Sequence, residues 1–272
     1  MDLTGRLRSQ EAPLLRLRRS GVYLGLVSLA AALLIWWLVA RYSGLPTFML
    51  PSPGQVGARW MALIQDGSLL RHMAVTLLEI LTGLAVGVFA AVVSGYFLAK
   101  SKTVERLASP YIVASQSVPI VAIAPLLVIW FGPGLFSKVL ICALIVFFPV
   151  LINTIVGMRS VPEDLYDLMR SLQASRWQTF TRLEIPAALP VFLGGLRIGA
   201  TLSVIGAVVG EVVGSDRGLG FLINTARGLY DTALVFVAVF MLVGMALTLY
   251  GLVMLLETRL TGWRTRPERE TL

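Results

Sequence analysis

Long apolar runs and short basic segments alternate along the chain. Residues 21–40 read GVYLGLVSLAAALLIWWLVA without a charge, and Arg41 follows. Further apolar runs lie at 73–99, 110–131, 135–158, 187–213 and 233–256. A helix rises about 1.5 Å per residue, so about 20 apolar residues cross about 30 Å of hydrocarbon. Lipid offers no partner to an unpaired amide, which makes helices the default for such runs. The pattern therefore predicts an all-α, polytopic membrane protein with six transmembrane helices. The second run is interrupted by Glu79, and the third contains Pro119 and Pro125. The first run is longer than the apolar core of a signal peptide, usually about 7–15 residues. With Trp36 and Trp37 near its end, it reads as a retained span with an interfacial aromatic anchor. Segment 42–72 leaves the bilayer: LPTFMLPSPGQV is rich in Pro and Gly, and a short amphipathic helix is predicted around 55–65.

The connection between runs four and five, residues 159–190, is RSVPEDLYDLMRSLQASRWQTFTRLEIPAALP. A plain connector needs only a few residues. Pro162 suits a first helical position, and Glu163 and Asp164 suit the positive end of the helix dipole. Leu165, Leu168, Met169 and Leu172 recur at helical spacing on one face, with Tyr166, Asp167, Arg170 and Ser171 opposite. About 11 residues of helix give roughly 17 Å, too short and too polar to span. Ser175 with Gln178 reads as a capping box that opens a second helix, expected to end before Pro186. Two occupants suit the apolar face: lipid headgroups, or a groove on a partner protein. Lipid-surface helices carry Lys and Arg on the polar face. Here that face has acids, which favours the protein groove.

Charge sharpens the topology. The net charge of +8 comes from 23 Lys+Arg against 15 Asp+Glu. With the N-terminus inside, 17 basic residues fall in inner segments and 6 in outer ones. Lys138 is counted among the outer ones. That asymmetry obeys the positive-inside rule and puts both termini in the cytoplasm; it accounts for the basic balance without nucleic acid. Composition agrees, with 57% hydrophobic and 14% charged residues, far from the roughly 25% charge of a soluble domain. The resulting division is an inner segment 1–20, a first span 21–41, an outer segment 42–72, a core 73–258 and an inner tail 259–272. Cys142 is the single cysteine and His72 the single histidine. They build neither an intramolecular disulfide nor a metal cluster, and no Ser/His/Asp arrangement or phosphate-binding Gly-rich loop is present. No cofactor is expected.

The stretch YDLMRSLQASRWQTFTRLEIPAALP resembles the coupling loop of ABC importer permease subunits. Asp167 stands at the family's Glu position, Leu168 and Met169 at its two Ala positions, Gln173 at its Gly position, and Ile185-Pro186 near its end. SVPIVAIAPLLVIWFGPG, FFPVLINTIVGMRSVPEDL and GEVVGSDRGLGFLINTARG are similar to the same family. The likeness covers about residues 72–258 and lies nearest the nitrate, sulfonate and taurine branch. The tail of the core is more similar to importers of riboflavin or thiamine-pyrimidine precursors.

The resemblance implies the bacterial inner membrane and a homodimer of permeases in contact with membrane lipid. Two cytoplasmic ATP-binding cassette subunits would dock below, and an outer solute-binding protein would meet Asp216, Arg217, Arg227 and Asp231. It implies that Asp164, Leu165, Asp167, Leu168, Met169, Arg170, Leu172, Gln173 and Ala174 contact the ATPase. Two departures bear on that contact. Gln173 is costly wherever Gly would be left-handed, and Met169 is bulkier than Ala. Ser115, Gln116, Ser117 and Asn153 are candidates for the pathway, or for helix–helix hydrogen bonds. Glu211 suits either a brace of the outer loop or the pathway, and Glu79 suits a brace to an Arg. Gly194, Gly195, Gly199 and Gly206 favour close packing in span five, or the dimer contact. The rival readings are a stand-alone secondary transporter or channel, which would show inverted repeats, and a membrane-embedded enzyme, which would show clustered catalytic groups.

Overall fold

A computed structural model describes residues 4–262, with side chains from Tyr23 onward. The side chains of segment 1–20 and the tail beyond Gly262 lie outside the described residues. Helix α1 runs Thr4–Tyr42, through the expected boundary at residue 20, and α2 runs Pro53–Gln65. The helix predicted around 55–65 is thus α2, opened by a Ser52/Gln55 capping box. Next come α3 (Ser68–Lys100), α4 (Lys102–Ser117), α5 (Ile120–Phe131) and α6 (Leu135–Arg159). After α6 come α7 (Glu163–Ser171), α8 (Arg176–Thr179) and a π-helical turn (Phe180–Glu184). The chain closes with α9 (Ile185–Gly214), α10 (Leu219–Gly228) and α11 (Thr232–Thr261).

Among the described residues, five helical stretches are long and apolar enough to cross a membrane, and the α4–α5 pair makes a sixth if it is one span. The single helix expected over 110–131 is instead two helices bent by 90°. Pro119 causes the break. It carries no amide hydrogen, and it holds Val118 extended at ψ 119. Pro125 and Pro149 sit inside α5 and α6 without ending them.

α6 is the central helix, packed along α3 on one side and α9 on the other. Small residues permit this closeness. A Cβ on Gly206 would stand 2.7 Å from Cys142 Cα, and one on Gly87 2.7 Å from the Ala143 carbonyl. Gly195 and Gly199 face Asn153 and Val150 in the same way, so these glycines serve packing between α9 and α6 within the chain. Gly194 has open space beside it. α11 closes the other side of α9, and its Phe236 stacks on Trp36 of α1 at 5.3 Å. The Trp36 indole N–H also donates to the Pro51 carbonyl at 3.1 Å. Trp36 is therefore a packing residue that ties α1 to α11 and segment 42–52, whereas Trp37 remains exposed. α4 has no buried residue.

Candidate functional site

The segment between α6 and α9 projects from one end of the bundle as the periodicity predicts, with differences of detail. Pro162 is the N-cap, not the first helical residue, and α7 has 9 residues. Leu165, Leu168 and Leu172 are 39%, 53% and 68% exposed, and Asp164 is exposed. Met169, placed with these leucines by spacing, is instead half-buried, as is Tyr166. The face offered outward is thus leucine only. Asp167 and Arg170 form an exposed ion pair at 2.9 Å along its edge.

Gln173 keeps the left-handed conformation, at φ 52. Its N–H donates to the Arg170 carbonyl, and the Ala174 N–H donates to the Met169 carbonyl, each at 2.9 Å. These are the two bonds of a Schellman motif. The turn keeps its geometry without Gly and holds the strain, because two otherwise orphan carbonyls gain partners. Ser175 and Gln178 form the expected capping box. The helix does not end before Pro186. The π turn shifts the ladder by one residue, so that the Ile185 N–H reaches the Phe180 carbonyl. Pro186 then enters the first turn of α9, where its missing donor costs nothing.

Tyr166 anchors α7 to the bundle. Its ring lies 5.9 Å from the Lys100 ammonium, and Lys100 pairs with the buried Glu184. Burial, and then the Glu184 carboxylate, push the Tyr166 phenol up to about 12. Arg159 pairs with Glu105, and Arg197 pairs with Glu257, joining α6 to α4 and α9 to α11.

The polar pathway candidates fall on different helices. Ser115, Gln116 and Ser117 occupy the exposed end of α4, beside the 90° bend, and each donates to a carbonyl four residues back. Asn153 is half-buried on α6 and donates to the Pro149 carbonyl at 2.8 Å.

At the opposite end a polar cluster is sealed inside the chain. Glu79 and Glu211 are each 1% exposed and Lys138 is 5%. Lys138 donates to Glu79 Oε1 at 2.9 Å and to the Ser215 hydroxyl at 2.6 Å. Glu211 accepts from the Thr76 hydroxyl at 2.6 Å and from the Gly220 N–H at 2.5 Å. Thr76 in turn accepts from the Leu219 N–H at 2.8 Å, and His72 Nδ1 accepts from the Gly218 N–H at 2.9 Å. Side chains of α3, α6 and α9 thus staple the loop 215–220. Glu211 meets partners of a loop brace, the first of its two sequence roles. The partner of Glu79 is Lys138, not an Arg. Lys138 itself is no loop residue but sits inside α6, and Arg197, counted among the inner residues, sits inside α9, so each count of basic residues falls by one. Sequence reasoning missed Lys138, Thr76 and Ser215. A signal was available, since one Lys and one Glu in separate apolar runs each need an interior partner.

Comparisons with known proteins agree with this architecture. Residues 83–262 match the family described as binding-protein-dependent transport system inner membrane component. The riboflavin transport system permease protein RibX of Chloroflexus aurantiacus is 46% identical over 237 residues, covering 87% of this chain and 88% of that one. The formylaminopyrimidine transport permease protein ThiX of Halalkalibacterium halodurans is 36% identical, covering 86% and 93%. Among solved structures, the MetNI methionine ABC transporter in an inward-facing conformation superposes with TM-score 0.62 at 18% identity, covering 74% of this chain and 98% of that one. That likeness is one of fold. The chain belongs to the binding-protein-dependent transport system inner membrane component family, and is a multi-pass permease subunit of the ABC importer type.

Proposed function

We propose that this permease forms half of the pathway of an ATP-driven importer for a small organic nutrient, riboflavin- or pyrimidine-like before sulfonate, taurine or nitrate. The observation that carries the coupling is the leucine face of α7, exposed at the end of a capped and anchored segment. Exposed apolar faces at helical spacing suit a protein groove. Leu165, Leu168 and Leu172 fill that groove on an ATP-binding cassette subunit, Asp167 and Arg170 set the register, and Asp164, Gln173 and Ala174 flank the contact. Met169 supports the helix from behind. ATP-driven closure of the two motor subunits moves α7 as a rigid body and carries α6 and α9 between two states.

The α7 end is cytoplasmic, as are both termini, which the distribution of Lys and Arg supports. A second copy covers α4, and Ser115, Gln116, Ser117 and Asn153 face the shared passage. On the outer side a solute-binding protein meets the Asp216–Arg217 corner and the exposed Arg227, while Asp231 is tied to Arg59 at 2.9 Å. The substrate preference rests on the riboflavin and formylaminopyrimidine permeases among the relatives.

Replacing Leu168 and Leu172 with Asp in the assembled transporter tests the coupling. Substrate-stimulated ATP hydrolysis and uptake fall at least tenfold while the permease still folds; normal uptake overturns the assignment. Ligand binding by the solute-binding protein encoded beside it tests the substrate. Tight binding of taurine but not of riboflavin or a pyrimidine reverses the preference.

A further inference from the structure

Two cavities meet where α7 is anchored, and their linings differ in kind. One is a groove of about 410 Å³ between α3, α6 and the start of α9, lined by Val92, Val93, Phe97, Met158, Leu189 and Phe192 among others, with almost no polar surface. The other is a pocket of about 630 Å³ at the end of the bundle, lined by Lys100, Tyr166, Arg170, Arg176 and Glu184 among others. Tyr96 lines both, and the π turn contributes Phe180 to the groove and Glu184 to the pocket. The two are therefore neighbours that share a wall at Tyr96, one apolar along the long helices and the other charged at their end.

The charges at the mouth leave a cation to spare. Lys100 is matched by Glu184, and Arg170 by Asp167. Arg176 has no carboxylate partner among the described residues. A guanidinium offers a planar fork of donors that fits a phosphate. A basic pocket at the membrane surface between transmembrane helices suits an anionic headgroup, and the adjoining groove suits its hydrocarbon.

We propose that this feature is a binding site for one anionic phospholipid, with an acyl chain in the groove and the headgroup phosphate on Arg176, next to Lys100. A bound lipid bridges the end of α3, the π turn and α7, and so stiffens the base from which the leucine face projects. The site goes beyond the transport reading and does not depend on it.

The experiment uses the purified full-length permease in detergent, with no ATPase present. Phosphatidylglycerol and phosphatidylcholine of identical chains are titrated and bound lipid is counted by native mass spectrometry. Phosphatidylglycerol binds at least tenfold more tightly. Arg176→Gln, at an exposed position, abolishes that preference, and Arg176→Lys largely restores it. Val93→Trp, at a groove position 40% exposed, weakens both lipids. Equal binding of the two lipids, or an unchanged preference in Arg176→Gln, overturns the headgroup site. Unchanged binding in Val93→Trp overturns the groove. Glycerol phosphate binding as tightly as the lipid shows an anion site alone and also overturns the proposal. A failure here leaves the coupling test untouched, since no motor subunit enters the measurement.

Discussion

The two ends of the bundle handle charge in opposite ways. At the 215–220 end, Glu79, Lys138 and Glu211 are sealed from solvent, and their partners come from three helices and a loop. At the α7 end the Arg170 and Asp167 pair is open, with side chains 80% and 69% exposed, and the Lys100–Glu184 pair is half open, with Lys100 41% exposed and Glu184 buried. Water around an open pair screens it and makes it cheap to break, whereas a sealed cluster has no such substitute. One end is therefore held in a single arrangement by its own residues. The other presents an exposed leucine face.

Each end also carries one left-handed residue that is not glycine, Gln173 at φ 52 and Tyr230 at φ 56. Both close Schellman motifs: the Tyr230 and Asp231 amides donate to the Arg227 and Ala226 carbonyls at 3.3 and 3.0 Å. Tyr230 has a tertiary contact as well, its ring lying 6.3 Å from Phe48. Asp231 then caps α11 and pairs with Arg59. Gln173 is exposed, and its strain is offset only by the local hydrogen bonds.

The comparison is broken most severely by Lys138→Met. This leaves Glu79 buried without its cation, and stability falls by about 3–5 kcal/mol, read as loss of folded permease after heating in detergent. The double variant Lys138→Met, Glu79→Gln recovers most of that loss; no recovery means that the two do not act as a pair. Gly206→Val tests the packing that brings the sealed cluster together. Its added side chain meets the Cys142 backbone and costs about 1–3 kcal/mol by thermal unfolding. Gly194→Ala, with open space beside it, serves as the control and leaves the midpoint unchanged or slightly raised. At the α7 end, Gln173→Gly relieves the left-handed strain and raises stability by about 1 kcal/mol at most. Asp167→Asn removes an exposed pair and shifts stability by less than about 0.5 kcal/mol. A large loss from Asp167→Asn would place α7 within the structural core and erase the contrast between the ends.

Much of the α7 end was legible because its signals are local. The Ser175/Gln178 box spans four residues, and the leucine spacing spans eight. Even there, Met169 shares the spacing of the leucines but is half-buried, a difference that spacing does not show. The sealed end is far less legible. Lys138 counts as a loop cation in any tally of flanking charges, since nothing in LFSKVL says that its ammonium turns inward. The bend at Pro119 was signalled by the proline. Its 90° angle was not, because a proline removes a bond without choosing the new direction.

The sequence alone determined where the apolar runs lie, that they are helical, and which short segment stands outside them, because these follow from composition and from periods of a few residues. Tertiary structure alone decided which charges meet. Lys138 and Glu79 are 59 residues apart, and Thr76 and Glu211 are 135 apart. It also decided that a π turn carries the chain through Pro186 and that two differently lined cavities share Tyr96. Such outcomes depend on how closely helices approach, and that distance is set by side-chain volumes on several helices at once.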